Sequence, residues 1–254
     1  MPRVASSRGP RRARPGRLIL IVGASRGLGA AFAADLGDPG DAMLLVSRKR
    51  PRLDSSDGVE RAWLRADLAR PDAPARLARG VGRRALDVLI WNAGIWEPEA
   101  FTPRYAFDRQ PTGTTRRVVE VNLTAAILGV KALLPALRRS ANPKLVVVAS
   151  LWGREAMSGP EVAFAATNFA RRGLIYALRA ALRRDRIPVT AINPGTIATV
   201  ESPYAAGRAA AIRATRGSMI PMHDLVELLR AVLRTSRATC VKEIDVPATA
   251  DPQT

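Results

Sequence analysis

The chain has 254 residues, 47% of them hydrophobic and 24% charged, with a mean hydropathy of −0.02 and a formal net charge of +18. That length suits one α/β domain with a large core, and no apolar run approaches the roughly 18 residues of a membrane span. The single cysteine, Cys240, excludes an internal disulfide and a cysteine metal cluster.

In chain order, residues 1–16 are arginine among Pro, Ser and Gly, and are expected to form a disordered basic tail. The pair Arg11-Arg12 leads into "LILIV" at 18–22 and then a glycine-rich turn, with no small-residue cleavage site. A signal peptide is therefore not expected, and a cytoplasmic location is. Only Lys49, Lys131, Lys144 and Lys242 are lysines among the 40 basic residues. Charge alone reports on solubility and non-specific binding, so a solvated basic surface is expected rather than a nucleic-acid partner. After the tail, strands are predicted at 17–25, 42–48, 61–68 (the weakest), 85–94, 144–150, 187–195 and 241–247. Helices are predicted at 27–36, 70–83, 115–140, 161–184 and 223–235. Near-continuous apolar strands separated by helices mean a parallel sheet covered on both faces, a doubly wound Rossmann-type α/β fold in a single domain. The polar stretch 200–218 is too long for a tight turn and is expected to act as a lid.

The fragment "GASRGLG" joins the first strand to the first helix and holds Gly23, Ser25, Arg26, Gly27, Leu28 and Gly29. Glycines there let backbone approach a pyrophosphate at the positive end of the helix. The second strand ends Val46-Ser47-Arg48-Lys49-Arg50, without the carboxylate that would bind a ribose 2′-hydroxyl. With Arg26 these cations suit a 2′-phosphate, so NADP(H) is expected over NAD.

The GxxxGxG spacing resembles the short-chain dehydrogenase/reductase superfamily over about residues 17–247, and other landmarks follow in order. Asp67 and Leu68 of "RADL" fall at the adenine end. "WNAG" puts Asn92, Ala93 and Gly94 where the family has NNAG. Asn122 falls at the catalytic asparagine and Ser150 at the catalytic serine, while "NPGTIAT" matches through Pro194, Gly195, Ile197 and Thr199. The resemblance implies that these residues hold the dinucleotide and the reacting carbonyl.

One part of the pattern fails. In "EVAFAATNFARRG", Phe164 stands at the family's tyrosine and Asn168 at its lysine. The family tyrosine protonates the carbonyl oxygen and the lysine lowers the tyrosine pKa. Phe164 has no proton to give and Asn168 no charge to lend, although its amide can still reach the ribose. Tyr176 lies too far along the same helix, whereas Tyr105 and Tyr204 are candidates to reach the pocket. Trp96, Trp152, Phe164 and Tyr204 would suit a flat hydrophobic substrate. This combination resembles the atypical angucyclinone ketoreductases. It implies reduction of an aromatic polyketide carbonyl in antibiotic biosynthesis, with a neighbouring substrate phenol as acid and Ser150 and Asn122 as helpers. The rival expectations are a catalytically silent NADP-binding regulator and a reductase using Tyr105 or Tyr204. Members of the family often pair through two long helices, here about 115–139 and 161–184, so a homodimer is one option, which the arginine-rich ends of those helices leave open.

Overall fold

The computed structural model describes residues 16–154 and 159–251. The expected tail lies outside the described residues except for Gly16. Seven parallel strands form one sheet in the order β3-β2-β1-β4-β5-β6-β7. The strands are β1 (Leu18–Val22), β2 (Ala42–Ser47), β3 (Glu60–Arg65), β4 (Val88–Trp91), β5 (Lys144–Val148), β6 (Val189–Pro194) and β7 (Glu243–Val246). This is the doubly wound single domain expected. β1, β4, β5 and β6 are buried along their whole length, as central parallel strands must be. β3 is the sheet edge, and its mixed burial is why its apolar signal is weak.

On one face α2 (Ala73–Val81), α4 (Ala125–Arg138) and α5 (Val162–Ala181) cover Leu20, Trp91 and Val147. On the other, α1 (Gly27–Asp35) and α7 (Met222–Leu233) cover Ile21, Ile90 and Val146. The expected helix 115–140 is α3 (Thr112–Val119), a π-helical turn at Glu120–Thr124, and α4. Counted as one segment, Thr112–Arg138 is long and apolar enough to cross a membrane, contrary to the reading of the sequence. Its apolarity serves the core instead: Val118, Ala126, Val130, Leu133 and Leu137 are all buried.

The stretch 200–218 is not a plain loop. It holds a 3₁₀ turn at Tyr204–Ala206 and a short helix, α6 (Arg208–Thr215), tied to α7 by the Arg208–Asp224 ion pair at 2.7 Å.

Candidate active site

The strands end together along one edge, and the loops there frame a cleft of about 390 Å³. The glycine-rich turn forms its floor. Gly23 has φ +91°, and an added Cβ would stand 2.8 Å from the Ala93 backbone. At Gly29 a Cβ would run into the Gly23 carbonyl oxygen and the Asn92 amide. Asn92 Nδ2 donates to that same carbonyl at 2.9 Å, which locks the turn against the end of β4. α1 begins at Gly27 with Arg26 as its extended cap and no side chain on its first N–H groups. Such an arrangement leaves backbone donors and the helix dipole free for a phosphate. The cradle therefore fits a dinucleotide pyrophosphate.

At one end of the cleft lie Ser47, Arg48, Asp67 and Leu68. Ser47 Oγ donates to the Lys49 carbonyl at 2.6 Å and accepts from Trp63 Nε1 at 3.1 Å, which fixes the β2 turn. Arg48, Lys49 and Arg50 are exposed beyond it. Burial pushes the Asp67 carboxyl up, but the Arg117 guanidinium at 2.9 Å and the Ala69 N–H outweigh it and hold the group below its usual range. At the other end lie Gly94, Ile95, Trp96, Thr199 and Val200. Pro194 closes β6, Gly195 takes its N–H to the Val246 carbonyl, and Ile197 bridges to Ile220.

Beside Trp96 the structure brings four rings together. Phe164 is edge-on to Trp96 at 6.3 Å, to Phe101 at 5.2 Å and to Trp152 at 6.1 Å. Trp96 and Phe101 are each about half exposed, at 49% and 47%. The position of the expected acid is thus an aromatic wall.

The polar residues nearby are committed to the scaffold. Asn122, in the π turn, is 1% exposed. Its Oδ1 accepts from Ile95 N at 2.8 Å, and its Nδ2 donates to the Ile95 carbonyl and Thr167 Oγ1. Ser150 Oγ accepts from Trp152 N at 3.2 Å and donates weakly to the Pro194 carbonyl at 3.4 Å. Asn168 Nδ2 turns back on its own helix, donating to the Phe164 carbonyl at 3.0 Å.

Neither expected tyrosine is brought to the cleft wall. Tyr204 stacks on His223 at 4.1 Å and donates to Asp35 Oδ2 at 2.5 Å, on the α1/α7 side of the sheet. Burial and then Asp35 raise its pKa. Its expected place among the substrate residues and in a lid over them is corrected accordingly: the ring packs on α7. Tyr105 is tied to the start of α5, its hydroxyl accepting from Val162 N at 3.1 Å and donating to Glu97 at 3.3 Å. Tyr176 lies outside, between Arg172 and Arg179.

Three residues that matter here were not singled out in the sequence. Glu97, 2% exposed, accepts from Ala163 N at 2.7 Å and from Phe164 N, and so caps α5 from another loop. Glu161 accepts from Phe101 N at 2.7 Å, which sets that ring in place. Arg171 is buried behind Gly94 and donates to the carbonyls of Asn122 at 2.8 Å, Val148 at 3.2 Å and Ala93. Burial lowers its pKa to about 10, so it stays charged near neutrality. The first two act over sequence separations of about 60 residues and leave no local signal. Arg171 does leave one: it lies on the α5 stripe of Phe164, Asn168 and Ile175.

Fold and cleft define a dinucleotide-binding oxidoreductase, and the family comparison agrees. Residues 17–213 match the short chain dehydrogenase family, and the chain belongs to it. It is an oxidoreductase of the CH–OH/C=O class. Among its relatives is the cis-4-hydroxycyclohexanecarboxylate dehydrogenase of Sinomonas cyclohexanicum, 29% identical over 82% of this chain and 83% of that protein. Another is the rhamnolipid-biosynthesis 3-oxoacyl-[acyl-carrier-protein] reductase of Pseudomonas aeruginosa, 29% identical over 82% of each. In fold it matches an alcohol dehydrogenase from the archaeon Thermococcus sibiricus, complexed with 5-hydroxy-NADP. The TM-score is 0.77, at 21% identity, covering 92% of this chain and 97% of the other. Other solved proteins of this fold carry NADP or NADPH, and others carry NAD.

Proposed function

We propose that the protein is an NADPH-dependent ketoreductase that reduces a carbonyl of a polycyclic aromatic polyketide, of the angucyclinone type, in antibiotic biosynthesis. The observation that carries this is the four-ring wall around Phe164, where the family's acid would stand. Bound NADPH supplies hydride. Arg48 and Arg26 would hold its 2′-phosphate, the α1 N-terminus its pyrophosphate, and Asp67 and Leu68 the adenine end. Trp96, Phe101 and Trp152 would stack a flat substrate and keep water away from the reacting carbon. As that carbon gains the hydride, the carbonyl oxygen takes its proton from a phenol hydroxyl already hydrogen-bonded to it. Solvent then reprotonates the phenolate, so atoms and charge balance without a protein acid. Ser150 is the hydroxyl left to orient the oxygen, and Asn122 acts by pinning Ile95.

The experiment is NADPH oxidation with two matched polycyclic quinones, one with a hydroxyl beside the carbonyl and one with that hydroxyl methylated. Turnover of the free phenol alone is expected. Equal turnover of both overturns the substrate-supplied proton. A second reading, a silent NADP-binding regulator, is favoured by the engagement of both Asn122 amide atoms in the scaffold. It predicts tight NADPH binding and no turnover of either quinone.

The same reading includes a second copy of the chain. Ile127 and Leu128 on α4 and Val162, Phe169 and Tyr176 on α5 are large and exposed, and these are the helices expected to pair.

A further inference from the structure

We propose that Arg171 supplies, from behind the site, the positive charge that Asn168 does not carry, and that it biases the reacting end of the cleft toward negative charge. The inference rests on the dinucleotide reading of the cleft and deepens it.

Arg171 is enclosed, and no carboxylate pairs with it among the described residues. The groups that accept its hydrogen bonds are the neutral carbonyls of Ala93, Asn122 and Val148. These satisfy the guanidinium N–H groups but leave its full charge in place. A charge held out of water is costly unless it is hydrogen-bonded. Arg171 meets that condition by joining three backbone segments, and its charge comes with that structural role.

Its neighbours indicate what the charge does. Ala93 precedes Gly94 and Ile95 on the cleft wall, and the Gly94 backbone lies against the guanidinium. Val148 lies two residues before Ser150, and Asn122 holds the Ile95 backbone. The charge thus sits beneath the ends of β4 and β5 and the π turn, at the end of the cleft opposite Arg48. In low dielectric a fixed charge behind a reacting group is worth far more than in water. It would stabilise negative charge developing on a carbonyl oxygen or its phenol partner. By the same sign it would disfavour the oxidised, positively charged nicotinamide relative to the neutral reduced one.

That second consequence needs no substrate to test. The affinities of NADP+ and NADPH for the full chain are measured by calorimetry, with the NAD pair in parallel. The variants are Arg171→Lys, Arg171→Met, and Arg171→Met combined with Asn168→Lys. The wild-type protein and Arg171→Lys are expected to favour the reduced form, and Arg171→Met to lose about tenfold of that preference. Such a change is the Coulomb scale for unit charges roughly 10 Å apart at an effective dielectric of about 20. Asn168→Lys in the Met background is expected to restore it. Should the Met variant not fold, Arg171→Gln, which keeps amide donors and drops the charge, carries the measurement. An unchanged ratio across the folded variants overturns the proposal. With no aromatic ligand present, failure of the polyketide reading and failure of this inference are told apart.

Discussion

In the proposed reaction Phe164 decides more about the chemistry than any other single residue. A general acid is worth roughly 10²–10⁴ in rate, and its place here is taken by a ring touching three other rings. If the substrate's phenol replaces that acid, its methyl ether should react at least about 100-fold more slowly. Phe164→Tyr with Asn168→Lys should then raise methyl-ether turnover at least about tenfold while changing phenol turnover little. Steady-state rates on both ketones check this, and a double variant without gain would show that the tyrosine cannot reach the carbonyl. At the other end of the cleft, Arg48 lines the wall and is the cation proposed to meet a 2′-phosphate. Losing a charge-assisted contact of about 1.5–3 kcal/mol should weaken NADPH binding tenfold or more in Arg48→Ala. NADH binding should be unaffected, and fluorescence titration with both nucleotides reads the difference.

At the scale of elements, α5 depends on a carboxylate from elsewhere. It has no side-chain cap of its own from Glu161, and Glu97 instead receives the Ala163 and Phe164 N–H groups. Glu97→Ala orphans buried donors at a cost of about 2 kcal/mol, a fall of roughly 4–8 °C in melting temperature for a chain of this size. Glu97→Gln keeps an acceptor and should lose less. A calorimetric scan of both variants tests whether the loop and the helix are coupled in this way. The β1–α1 junction is less forgiving. Gly29→Ala would force a methyl into the Gly23 carbonyl, so dinucleotide binding should fall with stability, by about 1–3 kcal/mol or more. The glycine-rich turn was readable because spacing alone sets close backbone approach. The capping of α5 was not, because Glu97 lies 66 residues before Ala163. The break of the long helix at Glu120–Thr124 was hidden too, since apolar periodicity runs on through it.

Across the whole molecule, the basic charge and the exposed apolar residues are distributed differently. The +18 net charge is spread over a chain whose basic residues are overwhelmingly arginine, and many of those arginines pair locally, as Arg17 does with Asp38 and Asp41 and Arg138 with Asp185. The exposed apolar residues of α4 and α5 are the surface proposed for a second copy. Sedimentation should therefore give a dimer near twice the 27.3 kDa chain mass, and Phe169→Glu should shift it toward monomer; a wild-type monomer would count against the pairing.

The amino-acid order alone carried the parallel α/β sheet, the chain order of its elements and the phosphate cradle, because period, glycine spacing and strand-end charge are local properties. It also put Phe164 and Asn168 where the family pattern has its acid and cation, since those positions are set by their neighbours on one helix. What surrounds those two positions is set by contacts between distant segments. The aromatic wall joins residues from two loops and a helix, Tyr204 turns to Asp35 instead of the cleft, and Arg171 gathers carbonyls from two strand ends and a π turn. Such contacts depend on which distant segments the sheet brings side by side, and spacing along the chain does not encode them.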